Sequence, residues 1–418
     1  MKSGRSSRGR LAMLSIPAIT GRAHSMPPPA VFETSTGRAR VLPIAELREA
    51  TGWREALRHL AKDARYYDIV GGTLGFECHG MRLEDREGRS RGVQPFFFVD
   101  QDLAATAPAW VRAPLRAVRR LFPRCLRLKM LMVGCAAGEG QLGGAVPAER
   151  WGLAVLREAM VQVARAHRAS LVVWKDFPAH YRQPLDPLHC PPAPEACYVR
   201  IPSMPATRLE LDYASFDDYM ARRLSHSMRK NLRRKFKALT KAAPLAMEVT
   251  HDLGAHADEA LALYLQTYAR SPLQFEKLTK DFLHRLSAEM PERVRFFLWR
   301  QNGKLVAFSL CFVHDGAIYD EYLGLDYTVA LDLHLYFVTF RDILTWALAQ
   351  GLKTYCSTPL NYDPKLHLGF ALAPLDLYVA HPSPVLNALL RRILPLIQPT
   401  RAEPALRHFA NAHEMTPA

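Results

Sequence analysis

Apolar residues recur along the chain with two different periods, and this pattern predicts helices that alternate with short strands. Helical spacing runs over 148–167 and again over 331–349, where Gly351 ends it. Three strand-like runs, 294–300, 305–313 and 317–323, are separated by Asn302-Gly303 and Asp315-Gly316, which are favoured hairpin turns. The pattern therefore predicts an α/β or α+β protein. Further expected elements are helices over 44–65, 217–241, 257–268 and 280–290 and strands over 95–99, 126–133, 170–174, 246–250, 353–356 and 375–379.

The chain divides into two halves with a similar order of elements. A proline-rich run, 178–205, is the expected boundary because its prolines forbid regular structure. In each half two strands precede a long helix, a short strand and a polar turn, at an offset of roughly 180 residues. This order predicts a duplicated domain, although a simple alternation of α and β elements explains it equally well. The expected division is a disordered basic tail over 1–40, domains over 41–205 and 206–400, and a C-terminal tail over 401–418.

Composition and charge narrow the class of protein. Of 418 residues 49% are apolar, which excludes a fully disordered chain. The net charge of +15 is concentrated in residues 1–40 and in the acid-free segment 222–241, so a nucleic-acid coat over the whole surface is excluded. The seven cysteines form no CxxC pair, which disfavours a disulfide framework and a zinc ribbon, and we expect no metal.

The expected location follows from the same features. No apolar run reaches the length of about 18 residues that a membrane span needs, so we expect a soluble protein. The cysteine usage favours a reducing compartment, which we take to be the cytoplasm. Whether the first 40 residues are a targeting segment stays open, because they are rich in arginine and serine and poor in acids.

The segment 217–241 has the sharpest local pattern. Its spacing predicts one amphipathic helix with an apolar stripe and a cationic face. The cationic face is either a phosphate-binding surface, for coenzyme A or transfer RNA, or a solvated charged surface. The apolar stripe consists of Met220, Leu224, Met228, Leu232 and Phe236, and the cationic face of Arg222, Arg229, Arg233 and Lys237.

A glycine-rich segment, 138–143, matches the pattern GxGxxG. No acid stands about 20 residues further on at the end of a second strand, where a nucleotide ribose needs one. The segment is therefore interpreted as a connection between strand and helix rather than a dinucleotide or S-adenosylmethionine loop. HExxH, Walker A, GxSxG and kinase signatures are absent, which excludes the corresponding enzyme classes.

Polar residues at strand ends are the candidates for chemistry. Lys175 and Asp176 follow a buried strand, at the edge where α/β sheets bind ligands. On the strand that begins at residue 317, strict alternation places Tyr319 and Glu321 on one face and Asp320 and Tyr322 on the other. Carboxylates in such an apolar strand either act as acid or base, or face water at a sheet edge. The segment 357–370, which contains Asn361, Tyr362, Lys365 and Gly369, is expected to be an ordered loop that lines a site.

Together these segments resemble the GNAT acetyltransferase superfamily, in its duplicated bacterial branch related to the Fem peptidoglycan aminoacyltransferases. The resemblance is carried by the basic helix from residue 216, the hairpin 296–324, the long helix that ends at Gly351, and Lys365 to Phe370. It implies two tandem GNAT-like domains, each a mixed sheet flanked by helices. One stretch departs from the pattern: 324–331 has one glycine and no cation where GNAT proteins hold the coenzyme A pyrophosphate.

The resemblance implies an acyltransferase that moves an acyl or aminoacyl group from acyl-coenzyme A or aminoacyl-tRNA to a small or lipid-linked amine, in cell-envelope metabolism. The alternatives are a non-catalytic protein that binds RNA or an anionic envelope precursor and, third, an S-adenosylmethionine methyltransferase. The acceptor and the oligomeric state stay open. The expected roles are Glu321 or Asp320 as base, Tyr322 or Tyr362 as acid or oxyanion donor, Lys365, Arg229, Lys230 and Arg233 as anion binders, Lys175 and Asp176 as acceptor pocket, and Asn361 and Gly369 as further binding residues.

Overall fold

The computed structural model describes residues 30–48, 52–102, 114–115, 117–120, 122, 127–143, 150–189, 197–271 and 274–415. The predicted tail over residues 1–29 lies outside these ranges. The described chain forms two β-sheets flanked by helices, so the predicted mixed α/β fold class is confirmed.

The first sheet has eight strands and is antiparallel except where two neighbours, β5 and β6, run parallel. In spatial order its strands are β1 (Val31–Glu33), β2 (Arg38–Pro43), β3 (Glu77–Glu84), β4 (Ser90–Asp102), β5 (Arg127–Val133), β6 (Leu171–Pro178), β15 (Leu375–Ala380) and β7 (Val199–Pro202). The helices of this half are α1 (Ile44–Leu47), α2 (Trp53–Leu57), α3 (Ala64–Thr73), α4 (Arg150–Ala166) and α5 (Arg182–His189), with a 3-10 turn over Ala179–Tyr181.

The second sheet has seven strands and repeats the parallel pair, here between β12 and β13. In spatial order its strands are β14 (Ala371–Ala373), β8 (Ala206–Glu210), β13 (Thr354–Ser357), β12 (Ala317–Leu325), β11 (Lys304–His314), β10 (Val294–Gln301) and β9 (Leu245–Thr250). Its helices are α6 (Phe216–Arg223), α7 (His226–Leu239), α8 (Ala257–Tyr268), α9 (Lys280–Glu289), α10 (Leu335–Ala349) and α11 (Tyr362–His367), whereas α12 (Pro384–Ile393) follows β15 of the first sheet. Short 3-10 helices cover Gly254–His256, Leu394–Leu396, Pro399–Ala402, Pro404–His408 and Ala412–Met415.

One strand crosses from the second half of the chain into the first sheet. After β7 in the first sheet the chain enters the second sheet at β8, which pairs antiparallel with β13. After β14 in the second sheet it returns to β15, which pairs antiparallel with β6 and β7 in the first sheet. The first sheet therefore contains a strand from the second half, which ties the two halves together.

A shared hydrophobic core lies between the two sheets. Alternate residues of β4 face opposite ways: Phe96 and Phe98 pack in the core that includes α4, whereas Phe97 and Val99 face the second half. There they join one cluster with residues of α3, α8 and α9 and of the second sheet, such as Phe308. This packing brings loops at the ends of the first sheet against the middle of the second.

Several elements differ from the sequence-based expectations. The helix expected over 44–65 is three helices, because Gly52 takes a left-handed conformation with φ 92° before α2. Residues 31–40, assigned to the tail, form β1 and the beginning of β2. The proline-rich run contains α5 and β7, so the expected absence of regular structure there was wrong: Pro184 lies in the first turn of α5, where a missing N–H is tolerated, and α5 also contains Pro187. Part of the expected C-terminal tail is also packed, because Leu406 and Phe409 are buried against the second half.

Candidate active site

A β-bulge in β12 decides where its polar residues point. Leu310 of β11 pairs with Tyr322 and Cys311 pairs with Asp320, so Glu321 has no partner across the ladder. The extra residue breaks the alternation of faces. Tyr322 therefore lies on the same face as Tyr319, in the shared core, whereas Asp320 lies on the other face. The predicted assignment of faces was wrong for Tyr322.

The sheet opens beside this bulge. Strand β12 pairs with β13 from Ala317 to Asp320, but β13 ends at Ser357 while β12 continues to Leu325. Beyond Asp320 the side of β12 that faced β13 has lost its strand partner. Groups from both faces of the sheet can meet at this break, and every second backbone N–H of β12 points into it.

On the α10 face of the break lies a buried group of polar side chains. Asp320 accepts hydrogen bonds from the Tyr355 hydroxyl at 2.7 Å and from the Ser309 hydroxyl. Lys365 is 5% exposed, and its ammonium donates to the carbonyl of Thr358. Burial lowers the pKa of Lys365 to about 7, although the nearby Asp320 carboxylate acts in the opposite direction. Lys365 is therefore a lysine that can exchange its proton near neutral pH.

On the opposite face the two halves bring lysines and carboxylates together. Lys62, just before α3, lies 2.9 Å from Glu321 and donates to the carbonyl of Ala137 at 3.1 Å. Lys175 lies 2.6 Å from Asp176 and donates to the carbonyl of Gly138 at 3.0 Å. Both lysines are largely buried, and their neighbours come from both sheets. This cluster, which we call the inter-sheet cluster, consists of Lys62, Glu139, Lys175, Asp176, Glu276, Glu321 and Tyr322.

Tyr322 and Asp176 are fixed within the inter-sheet cluster. The Tyr322 hydroxyl donates to Glu276 at 2.9 Å, and burial raises the pKa of both groups. Tyr322 therefore stays protonated and can donate its hydroxyl hydrogen to Glu276. Asp176 has a left-handed backbone with φ 55° and accepts from the Ser203 hydroxyl. The predicted acceptor-pocket residues thus lie near the predicted base Glu321.

Glu139 is the cluster's unpaired carboxyl group. Within the described residues no hydrogen bond or ion pair engages it, although it is half-buried. Burial, together with the negative charges of Glu321 and Asp176, raises its pKa to about 7, although Lys62 and Lys175 act in the opposite direction. Sequence reasoning missed Glu139, Lys62 and Glu276, because each stands alone in its segment and only the packing of two sheets unites them.

The glycine-rich segment that contains Glu139 is packed too closely for a cofactor loop. A Cβ on Gly140 would come within 2.4 Å of the Lys175 carbonyl oxygen, and one on Gly143 within 1.9 Å of the Val93 carbonyl oxygen. The Gly140 amide also donates to the Asp176 carbonyl at 2.9 Å. These contacts favour the interpretation as a connection, and they use the backbone that a nucleotide would need.

Gly140→Ala is expected to lower the free energy of unfolding by about 1–3 kcal/mol, because its methyl group meets fixed backbone. Gly138→Ala is the matched control, since its methyl group meets mainly the flexible end of Lys62 and should cost less. Urea denaturation measures both, and equal losses would contradict the packing role. Saturable binding of S-adenosylmethionine to the wild type would contradict the connection interpretation.

The segment 357–370 is ordered by unusual backbone and by hydrogen bonds. Leu360 and Asn361 are both left-handed, with φ 76° and 51°, and Asn361 is exposed at the start of α11 without a side-chain cap bond. Tyr362 is 1% exposed, and its hydroxyl donates to the carbonyl of Pro205 at 2.8 Å. The hydroxyl proposed as an acid therefore fastens the loop instead. Gly369, with φ 75°, accepts from Arg223 at 2.6 and 2.9 Å.

The basic segment 217–241 is two helices, so the prediction of a single helix was wrong. Leu224 is extended, and the Ser225 side chain caps α7 by accepting from the Met228 amide. The predicted apolar stripe is confirmed, because all five of its residues pack in the core of the second half.

The interruption at Leu224 also separates the cations of this segment into two groups, one on α6 and one on α7. Arg222 pairs with Asp212 and Asp218, and Arg229 donates to the carbonyl of Ala221 at 2.8 Å. The cations of α7 and its C-terminal end that are exposed and make no ion pair within the described chain are Lys230, Arg233, Arg234, Lys237 and Lys241.

The loop before α10 does not offer a phosphate cradle. Asp326 is 3% exposed, lies 2.7 Å from Lys304 and accepts from the amide and hydroxyl of Thr328. Further amides of this loop donate to its own backbone carbonyls. Gly324 packs against Phe308 and the backbone of Tyr264. A buried carboxylate stands where a pyrophosphate needs donors. The amides occupied in this way are those of Val329, Ala330, Leu333, His334 and Leu335.

The described residues contain no group of three or more histidine, cysteine or acidic side chains arranged to hold a metal ion. Among their helices none combines the length and the apolar character needed to cross a bilayer.

Comparison with known proteins finds a matching domain family in the second half. Residues 226–365 match the family model of the Acetyltransferase (GNAT) domain, and the predicted GNAT superfamily is confirmed. No curated protein matches the chain.

Solved structures of similar fold include FemX, with 12% identity and a TM-score of 0.46 over 79% of this chain and 93% of that one. L-PGS from Bacillus licheniformis has 14% identity and a TM-score of 0.44 over 84% and 94%. A tandem GNAT protein from the clavulanic acid biosynthesis pathway has 12% identity and a TM-score of 0.42 over 82% and 99%.

Proposed function

We propose that this protein transfers an acyl or aminoacyl group to an amine at the break between β12 and β13. The observation that carries the proposal is Glu139, an unpaired carboxyl group with a pKa of about 7 beside the break. A general base is most effective when its pKa lies near the working pH. The proposal moves the role of base from Glu321 and Asp320, which are engaged by Lys62 and Tyr355, to a residue of the first half.

The inter-sheet cluster suits an amine acceptor. It holds the carboxyl groups of Glu139, Asp176, Glu276 and Glu321 but only two lysines, so it has an excess of negative charge when ionised. An amine arrives at neutral pH as an ammonium ion, and such a cluster attracts it. Glu139 then takes one proton from the ammonium, which leaves a nucleophilic lone pair on nitrogen.

The remaining steps use the other face of the break. The amine attacks the donor carbonyl and forms a C–N bond, while the carbonyl oxygen becomes an oxyanion that N–H groups of β12 can stabilise. The bond from carbon to the donor oxygen or sulfur then breaks, and the nitrogen releases its second proton to water, which leaves a neutral amide. Lys365, which can release a proton near neutral pH, supplies it to the leaving group. Asp320 and Tyr355 keep Lys365 in a polar setting.

We favour an aminoacyl ester on transfer RNA as the donor over acyl-coenzyme A. The loop before α10 uses its amides internally and contains a buried acid, which disfavours a pyrophosphate. The exposed and unpaired cations of α7, by contrast, suit an extended polyanion. A cell-envelope amine, small or lipid-linked, remains the acceptor class proposed from the sequence.

The test supplies the protein with a mixture of labelled aminoacyl-tRNAs, or with acetyl-coenzyme A, in the presence of a panel of primary amines. We expect label to move from transfer RNA to an amine and not from coenzyme A. Transfer from coenzyme A would contradict the donor proposal. Tight binding of transfer RNA without transfer to any amine would contradict the enzymatic proposal and favour a binding protein.

Replacing Lys230, Arg233 and Lys237 together by glutamine is expected to weaken transfer-RNA binding and to lower the slope of log affinity against log salt by about 2–3, because each lost phosphate contact removes released counterions. The matched control is the triple variant Arg54→Gln, Arg58→Gln and Arg86→Gln in the first half. Filter binding at several salt concentrations measures both slopes. If the two triple variants behave alike, the α7 face is only a solvated surface.

A further inference from the structure

A strip of exposed aliphatic side chains follows the last strand. Of the eleven large hydrophobic residues that are strongly exposed in the described chain, six fall within 385–397. Val385 is 78% exposed and Leu396 is 65% exposed, which is unusual for residues of this type outside an interface. We call this surface the α12 strip; it consists of Val385, Leu386, Leu389, Ile393, Leu396 and Ile397.

The opposite face of α12 is firmly anchored. Asn387 is 2% exposed; its side-chain amide donates to the carbonyl of Cys197 at 2.8 Å and accepts from the His381 amide at 2.9 Å. Leu390 and Leu394, three and seven residues further on, pack against the shared core. Since Leu389 is about 200° around the helix from Asn387, the strip necessarily points outward. It is therefore a preformed surface rather than a loosely attached end.

The charges around the strip have one sign. Residues 381–402 contain Arg391, Arg392 and Arg401 and no acid. All three arginines are exposed and make no ion pair within the described chain. Docking a second copy through the same face would bring these cations against one another, which disfavours a symmetric dimer.

We infer that the α12 strip binds the surface of a membrane that contains anionic lipids. Helix α12 has aliphatic residues on one face and the exposed Arg392 at the edge of that face, which suits it to lie in the bilayer interface, with the aliphatic groups among the acyl chains and the guanidinium group at the phosphates. The aliphatic residues of the strip and two of the arginines, Arg391 and Arg392, lie within the same 13 residues, 385–397. The inference does not depend on the proposed transfer reaction.

The test is flotation of the full chain with vesicles of phosphatidylcholine and phosphatidylglycerol, compared with phosphatidylcholine alone. We expect binding to the anionic vesicles, and a loss of about tenfold or more in the partition coefficient for the variant Leu386→Ser/Leu389→Ser, because apolar burial drives insertion. Arg391→Gln/Arg392→Gln should lose a similar factor on anionic vesicles only. The substituted side chains are exposed, and thermal denaturation confirms that the variants are folded.

The matched control is Val31→Ser/Met247→Ser, which removes two exposed aliphatic side chains elsewhere and should bind like the wild type. Equal losses in the control and in Leu386→Ser/Leu389→Ser would overturn the inference, as would no vesicle binding by the wild type. A wild-type dimer in light scattering that becomes monomeric in Leu386→Ser/Leu389→Ser, without vesicle binding, would show that the strip is a dimer interface instead.

Discussion

Glu139→Gln is expected to lower turnover by about a hundredfold or more, because the amide cannot accept the proton of the acceptor ammonium. Amide and carboxyl groups are nearly the same size, so the packing of the loop should persist. The wild-type rate should rise with pH towards about 7 as the Glu139 carboxyl group loses its proton and fall above about 7 as Lys365 loses its own, and the variant should lack the rise but keep the fall. Transfer measured between pH 5 and pH 9 gives both results.

The pH dependence of the stability of Glu139→Gln tests the pKa of Glu139 without a substrate. The pKa of Glu139 is raised in the folded protein, so the folded state holds its proton more tightly than the unfolded chain, and the wild type loses stability as pH rises from about 4.5 to about 7. Glu139→Gln should therefore gain stability relative to wild type at pH 8 and less at pH 5. Glu55→Gln, an exposed glutamate, is the control. A wild-type rate in Glu139→Gln, with an unchanged pH profile, would exclude Glu139 as the base.

Asp376→Ala is expected to lower the free energy of unfolding by about 3 kcal/mol, because removing one partner of a buried ion pair leaves the other charge uncompensated. Asp376 lies on β15 and is fully buried; it contacts Arg182 at 2.6 Å and Arg200 at 3.2 Å. Both arginines belong to the first half of the chain. The substitution near the C-terminus should therefore loosen the first sheet.

Urea denaturation measures the loss, and hydrogen exchange shows where it falls. Amides of β6 should lose protection in Asp376→Ala, since β15 is the neighbour to which β6 is paired. Asp363→Ala is the matched control, because that carboxyl group is 79% exposed and belongs to the second half. Equal stability losses for the two variants would show that the ion pairs of Asp376 on β15 do not stabilise the first sheet.

Local patterns in the sequence predicted those features that neighbouring residues determine. The hairpins around Asn302 and Asp315 were predicted from turn residues, and both residues are left-handed in the structure. The apolar spacing of 257–268 and 280–289 predicted α8 and α9 closely. The single helix over 217–241 was wrong because one extended residue, Leu224, interrupts a pattern that continues on both sides.

The sequence by itself determined the mixed α/β composition, the two halves, the GNAT resemblance and the cationic character of α7, because each depends on periodicity or on residues close together in the chain. Only the tertiary structure decided which residues could form a site. A one-residue bulge moved Tyr322 to the face of the inter-sheet cluster, and the packing of the two sheets around a shared core brought Lys62 and Glu139 to Glu321, across more than 180 residues of chain. Register and packing between distant segments depend on the free energy of the whole fold, which no local pattern records.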